Sequence, residues 1–200
     1  DGGRSGRVEG DRVKAPETVL SGQEGRIAAL TELPDGKLVS ILDVEQILAS
    51  AFGEEAVPDM ATLESTEETT IFFVDDSMVA RKEISQVLDK LGVKYHQANN
   101  GLEGWDRLKG LASRAQAEGR DLSETINLIL LDAEMPEMDG YVLTRHIKGD
   151  TRFDRIPVVM HSSLSSEANR AMGKSVGVDA YVAKFDPVVL ADTLRPLLQR

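Results

Sequence analysis

Short apolar runs alternate with helical periods along the last two thirds of the chain. The runs are "TIFFV", "KYHQA", "INLILL", "IPVVMH" and "DAYVA". Between them lie amphipathic stretches: a helix from about Ser77 to Leu91, and others opening at Gly101, at Gly140, near Ser165 and at Pro187. In the first, Ile84, Val87, Leu88 and Leu91 recur at i, i+3, i+4 and i+7, so one face must pack on other structure. Apolar strands separated by such helices need covering on both sides. The pattern therefore predicts an α/β fold, (βα)5, with a doubly wound, parallel five-stranded sheet. Asp186 is a natural N-cap with Pro187 at the first helical position, and Pro196 is expected to kink or end the last helix. Trp105, with Leu102 and Leu108 at threefold spacing, is expected to pack in the core.

The pattern changes upstream. Residues 53–70, "GEEAVPDMATLESTEETT", hold six acidic residues, one Pro and no Lys or Arg, without periodicity. They read as an interdomain segment, placed at 51–69. Before it, "RIAALTEL", "PDG" and "KLVSILDVEQILA" read as two strands around a turn with a short helix-like tail. Residues 1–12, Gly-rich and charged, are expected to be unstructured. The organisation expected is thus 1–50, β-rich; 51–69, acidic linker; and 70–200, α/β.

Charge narrows the function. A net charge of −11 repels phosphate, which argues against direct binding to nucleic acid or anionic lipid and for a protein partner. The chain has no cysteine, so any metal must sit on oxygen or imidazole. The apolar runs are too short to span a bilayer, and the Asp-Gly-Gly start resembles no signal peptide. A soluble cytoplasmic protein without membrane insertion is expected.

In a parallel α/β sheet, ligands bind beyond the carboxyl ends of the strands. Four such ends carry chemistry here: Asp75 and Asp76 after the first strand, Asp132 after the third, Ser162 and Ser163 after the fourth, and Lys184 after the fifth. Each has a plain explanation, as a helix cap or a solvated side chain. Their coincidence at one sheet edge favours a site. Three neighbouring carboxylates repel one another and raise each other's pKa unless a cation is present, and a hard divalent ion on few protein oxygens suits Mg2+. Beside such an ion and an ammonium, Asp132 can attack phosphorus.

"FFVDDS", "LILLDAEMPEMDG", "PVVMHSS" and "DAYVAKFDP" together resemble the response-regulator receiver domain, a flavodoxin-like fold, over residues 70–200. The resemblance implies that Asp132 accepts a phosphoryl group, that Asp76 binds Mg2+ directly and Asp75 through water, and that Glu134 lends the metal its backbone carbonyl. Ser162 becomes the switch hydroxyl, Lys184 the phosphate-binding lysine, and Tyr181 the aromatic whose position follows. Pro136 and Gly140 shape the loop after Asp132. Two departures stand out. Phe185 takes the place of the family's usual proline, and "GLEGWDRLKGLASRAQAEGRDLSETIN" is longer than the family needs between its second and third strands. His96, His146 and His161 lie on different elements without metal-ligand spacing, though His161 is near the site.

The segment "VKAPETVLSGQEGRIAALTELPDGKLVSILDVEQILA" resembles the closing part of a CheW-type coupling domain, and its fusion to a receiver resembles the CheV family of chemotaxis proteins. That resemblance implies a chemotaxis regulator phosphorylated on Asp132 by a CheA-type histidine kinase. It would modulate receptor–kinase coupling or act as a phosphate sink, and its only chemistry would be its own phosphorylation and dephosphorylation. It would meet chemoreceptors through a complete coupling domain, in the cytoplasm or at receptor arrays, with no output domain expected after Arg200. One alternative is a stand-alone regulator of another two-component pathway. Another is an Mg2+-dependent phosphohydrolase with an Asp nucleophile; such enzymes usually carry a second catalytic Asp two residues on, where Glu134 stands. A dinucleotide-binding domain is disfavoured, because no G-x-G-x-x-G turn follows the first strand.

Overall fold

The structure, a computed structural model, describes the backbone of residues 13–14, 27–32 and 38–42, and residues 57–63, 68–184 and 186–199 in full. Expectations for residues 1–12, the Pro-Asp-Gly turn, the helix-like tail and Phe185 lie outside the described residues. The chain divides into two compact units, with the boundary between Ala56 and Val57.

In the first unit, β1 (Val13–Lys14), β2 (Ile27–Glu32) and β3 (Leu38–Leu42) form an antiparallel sheet in the order β1-β2-β3. Glu32 lies opposite Leu38 and Leu30 opposite Ser40, so the two expected strands pair antiparallel. The register shifts between Ile27 and Ala29, an irregularity of the bulge type. Strand β1, only two residues long, is too short to leave a periodic signal.

The second unit is the five-stranded parallel sheet. Its elements run β4 (Thr70–Val74), α1 (Met78–Leu91), β5 (Lys94–Ala98), α2 (Gly101–Ala117), β6 (Leu128–Asp132), α3 (Gly140–Lys148), β7 (Val158–Ser162), α4 (Glu167–Val176), β8 (Ala180–Ala183) and α5 (Pro187–Leu198). The strand order is β5-β4-β6-β7-β8, so the winding reverses beside β4, where ligand crevices form in such sheets. Strands β4, β6 and β7 are buried almost throughout, as their apolar runs require. Edge strand β5 is largely exposed, which explains its mixed "KYHQA" sequence.

Alternate strand residues feed two cores. On one face Phe72, Val74, Ile129, Leu131 and Val158 meet Leu108, Ala112, Leu143 and Ile147 of α2 and α3. On the other, Ile71, Phe73, Leu130, Val159 and Val182 meet Ile84, Leu88 and Leu91 of α1 and Leu190 and Leu194 of α5. Trp105 packs against the first core with its ring 5.9 Å from that of Phe153, and His146 stacks on it at 5.4 Å. Leu102 does not join them: it is 44% exposed, whereas Leu108 is fully buried. A step of three residues turns a helix by about 300°, so positions 102 and 108 lie about 120° apart around the axis. The long region after β5 resolves into the 17-residue α2 and a 3-10 turn at Leu122–Glu124, closed by a capping box between Asp121 and Glu124. Helix α5 has the expected N-cap at Asp186, and Pro196 falls inside its last turn, two residues before the end at Leu198.

Residues 57–63, within the stretch read as a linker, belong to the second unit and pack on its α1–α5 side. Val57 is buried in the α1–α5 core, with Met60 and Leu63 against it. The Leu63 N–H donates to Leu91 O at 3.0 Å, Asp59 pairs with Lys90 at 2.6 Å, and Arg195 donates to Ala61 O. Acidic composition hid three well-spaced apolar residues here.

Candidate functional site: a charged pocket at the carboxyl edge of the sheet

The central strands β4, β6 and β7 have apolar bodies, and polar residues gather at their carboxyl ends, on one edge of the sheet. Asp75 directly follows β4 and is 1% exposed; Asp132, the last residue of β6, is 2% exposed; Ser162, the last of β7, is fully buried. Lys184 directly follows β8, with its side chain 6% exposed. Its ammonium lies 2.9 Å from Asp132 Oδ2 and 3.0 Å from Asp75 Oδ2. One carboxylate oxygen from each of Asp75, Asp76 and Asp132 fits within 4.8 Å of the others, with Asp76 exposed to solvent. Asp75, Asp76, Asp132 and Lys184 are therefore together, Ser162 ends the neighbouring strand β7 at the same edge, and Ser163 is exposed.

Local chemistry holds them there. Ser77, not an aspartate, caps α1 by accepting from the Ala80 N–H at 3.2 Å. That leaves Asp75 to accept from the Ser77 N–H through Oδ1 at 2.9 Å. The Glu134 N–H donates to Asp132 Oδ1 at 3.2 Å, while the Glu134 side chain is exposed. The β6–α3 loop then turns sharply. Glu137 has φ 65° and the Met138 N–H donates to Pro136 O at 2.7 Å, a three-residue γ-turn that costs a non-glycine residue about 1 kcal/mol or more. The Gly140 N–H closes the loop on Ala133 O at 3.0 Å. A Cβ at Gly140 would lie 2.1 Å from Asp132 O, so glycine alone lets α3 start against the end of β6.

The electrostatics are those of an unneutralised anion pocket. Burial, then the neighbouring Asp75 charge, push the Asp132 carboxyl up to about 7 against the pull of Lys184. Burial also raises Asp75. Burial works to lower Lys184, but Asp75 and Asp132 overcome it and hold the ammonium above its ordinary value. Asp75 Oδ2 is buried with the Lys184 ammonium 3.0 Å away as its ion-pair partner. Three mutually repelling carboxylates against one ammonium form an oxygen donor set that fits a hard cation. His161, buried on β7, is driven down to about 3 by burial and then by Lys184, so it is neutral. Its Nδ1 has no hydrogen-bond partner.

The hydroxyl side of the pocket is arranged differently. Ser162 Oγ accepts from the Leu164 N–H at 3.0 Å, and the Tyr181 hydroxyl donates to Leu164 O at 2.6 Å. Two residues that sequence reasoning missed also converge there. Arg170 lays its guanidinium 5.3 Å from the Tyr181 ring centre, and the Tyr141 hydroxyl lies 3.5 Å from that of Tyr181. No sequence periodicity links residues 40 apart on different elements.

A five-stranded 2-1-3-4-5 sheet with aspartates at the ends of its first and third strands, a serine ending its fourth and a lysine following its fifth defines a class. Residues 71–195 match the response regulator receiver domain, and the chain belongs to that family. The match to individual relatives is longer. The chain is 33% identical to the chemotaxis protein CheV3 of Helicobacter pylori over 175 residues, 87% of this chain and 55% of that protein. An alignment of that length must extend upstream of Val57. The chain thus spans about half the length (55%) of the CheV relatives it matches. It is 30% identical to CheY1 of the same species over 130 residues, 64% of this chain and 95% of CheY1. The receiver domain of the histidine kinase CKI1 from Arabidopsis thaliana, crystallised with Mg2+ and BeF3−, superposes with a TM-score of 0.57 at 25% identity, covering 66% of this chain and 91% of that one. Among the described residues, no helix is long and apolar enough to cross a membrane.

Proposed function

We propose that the chain is a phosphorylatable regulator of chemotaxis signalling, with Asp132 as the acceptor and a CheA-type histidine kinase as the donor. The observation that carries the reading is the buried Asp132 carboxylate, set between Asp75 and the Lys184 ammonium at 2.9 Å. A carboxylate oxygen of Asp132 would attack phosphorus, the bond to the donor's imidazole nitrogen would break, and the imidazole would leave with a proton from solvent. Lys184 balances charge on the incoming phosphoryl oxygens. Asp76 and Asp132, with Asp75 behind them and the Glu134 carbonyl, would hold Mg2+, whose contribution is to offset carboxylate repulsion and phosphoryl charge. The crystal structure of the CKI1 receiver with Mg2+ and BeF3− supports the carry-over of both groups.

Ser162 is the switch hydroxyl in this reading, since Ser163 is exposed and Ser162 faces Leu164 and hence Tyr181. If the Ser162 side chain rotates to donate its hydroxyl to a phosphoryl oxygen, its Oγ leaves the Leu164 N–H and the loop that Tyr181 holds is reset. The three-stranded N-terminal unit would belong to a CheW-like coupling domain that meets chemoreceptors, with the receiver modulating that coupling or drawing off phosphate. The exposed Glu134 side chain gives no support to hydrolysis with a second acid beside the nucleophile.

The test is phosphotransfer from a purified CheA-type kinase with ATP and Mg2+, read by intact mass. Wild type gains one phosphoryl group that hydroxylamine removes. Asp132→Asn gains none, and a label persisting in that variant overturns the assignment.

A further inference from the structure

Tyr141 has no part in the phosphoryl chemistry above, yet it sits where two lines of contact from the pocket meet. It is the second residue of α3, directly after Gly140, whose backbone abuts Asp132 O and donates to Ala133 O at 3.0 Å. Any movement of the acceptor loop therefore carries Tyr141 with it. Its hydroxyl reaches across to Asn169 O of α4 and to the Tyr181 hydroxyl, each at 3.5 Å, the outer limit of a hydrogen bond.

Tyr181 is held on its other sides too. Its proton goes to Leu164 O at 2.6 Å, so in the tyrosine pair it accepts, and the single Tyr141 proton is shared between the Tyr181 hydroxyl oxygen and Asn169 O. Arg170 covers the ring from 5.3 Å and donates through Nη1 to Tyr181 O at 3.0 Å. Behind the ring, a Cβ at Gly173 would come within 2.9 Å of Tyr181 Cδ2, so that glycine makes the space the ring occupies. Burial, then the Tyr181 hydroxyl, hold the Tyr141 phenol well above its ordinary value, which keeps it a donor wherever the protein is folded.

We infer that Tyr141 is a positioning residue: with Arg170 it clamps the Tyr181 ring against Leu164 before any phosphoryl group is present, and so ties that ring directly to the acceptor loop. The clamp rests on the reading of Ser162 and Tyr181 as the switch. Two branches then join Asp132 to the α4–β8 surface. One runs through Ser162 and Leu164, and the other through Gly140 and Tyr141; both end on one ring. Removing the Tyr141 hydroxyl leaves the first branch alone and frees the ring in the unmodified protein.

The chain has three tyrosines, Tyr95, Tyr141 and Tyr181, so incorporation of 3-fluorotyrosine gives a 19F spectrum of three lines. Single Tyr→Phe variants assign them. In Tyr141→Phe the Tyr181 line should be displaced and broadened before activation, while the Tyr95 line and the thermal midpoint stay put. Tyr141→Leu, which keeps the apolar cover, should give the same displacement. With Mg2+ and beryllofluoride the Tyr181 line should move further in Tyr141→Phe than in wild type, because the wild-type ring is already held. A Tyr181 line that coincides in wild type and Tyr141→Phe, before and after activation, overturns the clamp. A wild-type line that ignores beryllofluoride instead overturns the switch reading, while the comparison of unactivated proteins still decides the clamp.

Discussion

The strand bodies and the strand ends of the same sheet obey opposite rules. Along residues 71–74, 128–131 and 158–160 the side chains are apolar and at most 1% exposed, and their burial stabilises the fold. One residue further on, the same backbone buries Asp75 and Asp132 against each other. A sheet that only had to be stable would not do this, since burying like charges costs free energy. The edge therefore stores an electrostatic strain that the bodies of the strands support, and a cation or a change in Asp132 can relieve it.

Substitutions should separate the two. In the body, Phe72→Ala empties a fully packed site and should cost about 3–5 kcal/mol in chemical denaturation. At the edge, Asp132→Asn should have the opposite sign and stabilise the Mg2+-free chain by about 1–3 kcal/mol near pH 8. An equal loss at both positions would dissolve the distinction.

The pH dependence sharpens it. Asp132 in the folded chain titrates at about 7, above its ordinary value. Its contribution is thus fully present below about pH 4 and is lost as pH rises through about 7. His161 runs the other way: its folded value, about 3, is depressed, so its contribution is present above about pH 6.5 and lost as pH falls toward 3. The advantage of Asp132→Asn over wild type should therefore grow from near zero at about pH 4 to its full size by about pH 8. His161→Val should gain on wild type only as pH falls below about 6.5. Denaturation curves across this range check both signs.

Smaller effects come from the margins. Leu63→Ala removes part of the 57–63 packing on α1 and α5 and should cost about 1 kcal/mol, and a chain shortened to begin at residue 64 should lose more than one beginning at 57. Ser162→Ala should cost about 0.5–1 kcal/mol, for one lost acceptor of the Leu164 N–H, and leave Mg2+ affinity unchanged.

What the amino-acid pattern revealed follows the same division. The strand bodies were legible because burial on two faces demands continuous apolar runs, and the strand ends because Asp75, Asp132, Ser162 and Lys184 break those runs abruptly. Helix packing was legible where the period is 3.6, as at Ile84, Val87, Leu88 and Leu91. It failed for Leu102, where a threefold spacing drifts around the axis and leaves the side chain in solvent. The packing of Val57, Met60 and Leu63 was masked by the acids around them, and strand β1 by its length. Tyr141 and Arg170 join Tyr181 only through the crossing of α3, α4 and β8, and nothing local in the chain announces a contact made by topology.

The central claim is that the sheet edge gathers carboxylates whose mutual repulsion a divalent cation would relieve. Its most direct measurement is the denaturation midpoint of the whole chain near pH 8, with and without Mg2+, for wild type and Asp132→Asn. Wild type should gain stability on adding Mg2+, and Asp132→Asn, already relieved of one charge, should start higher and gain much less. A wild-type midpoint that Mg2+ leaves unmoved, or an Asp132→Asn chain that responds as strongly as wild type, would contradict the account.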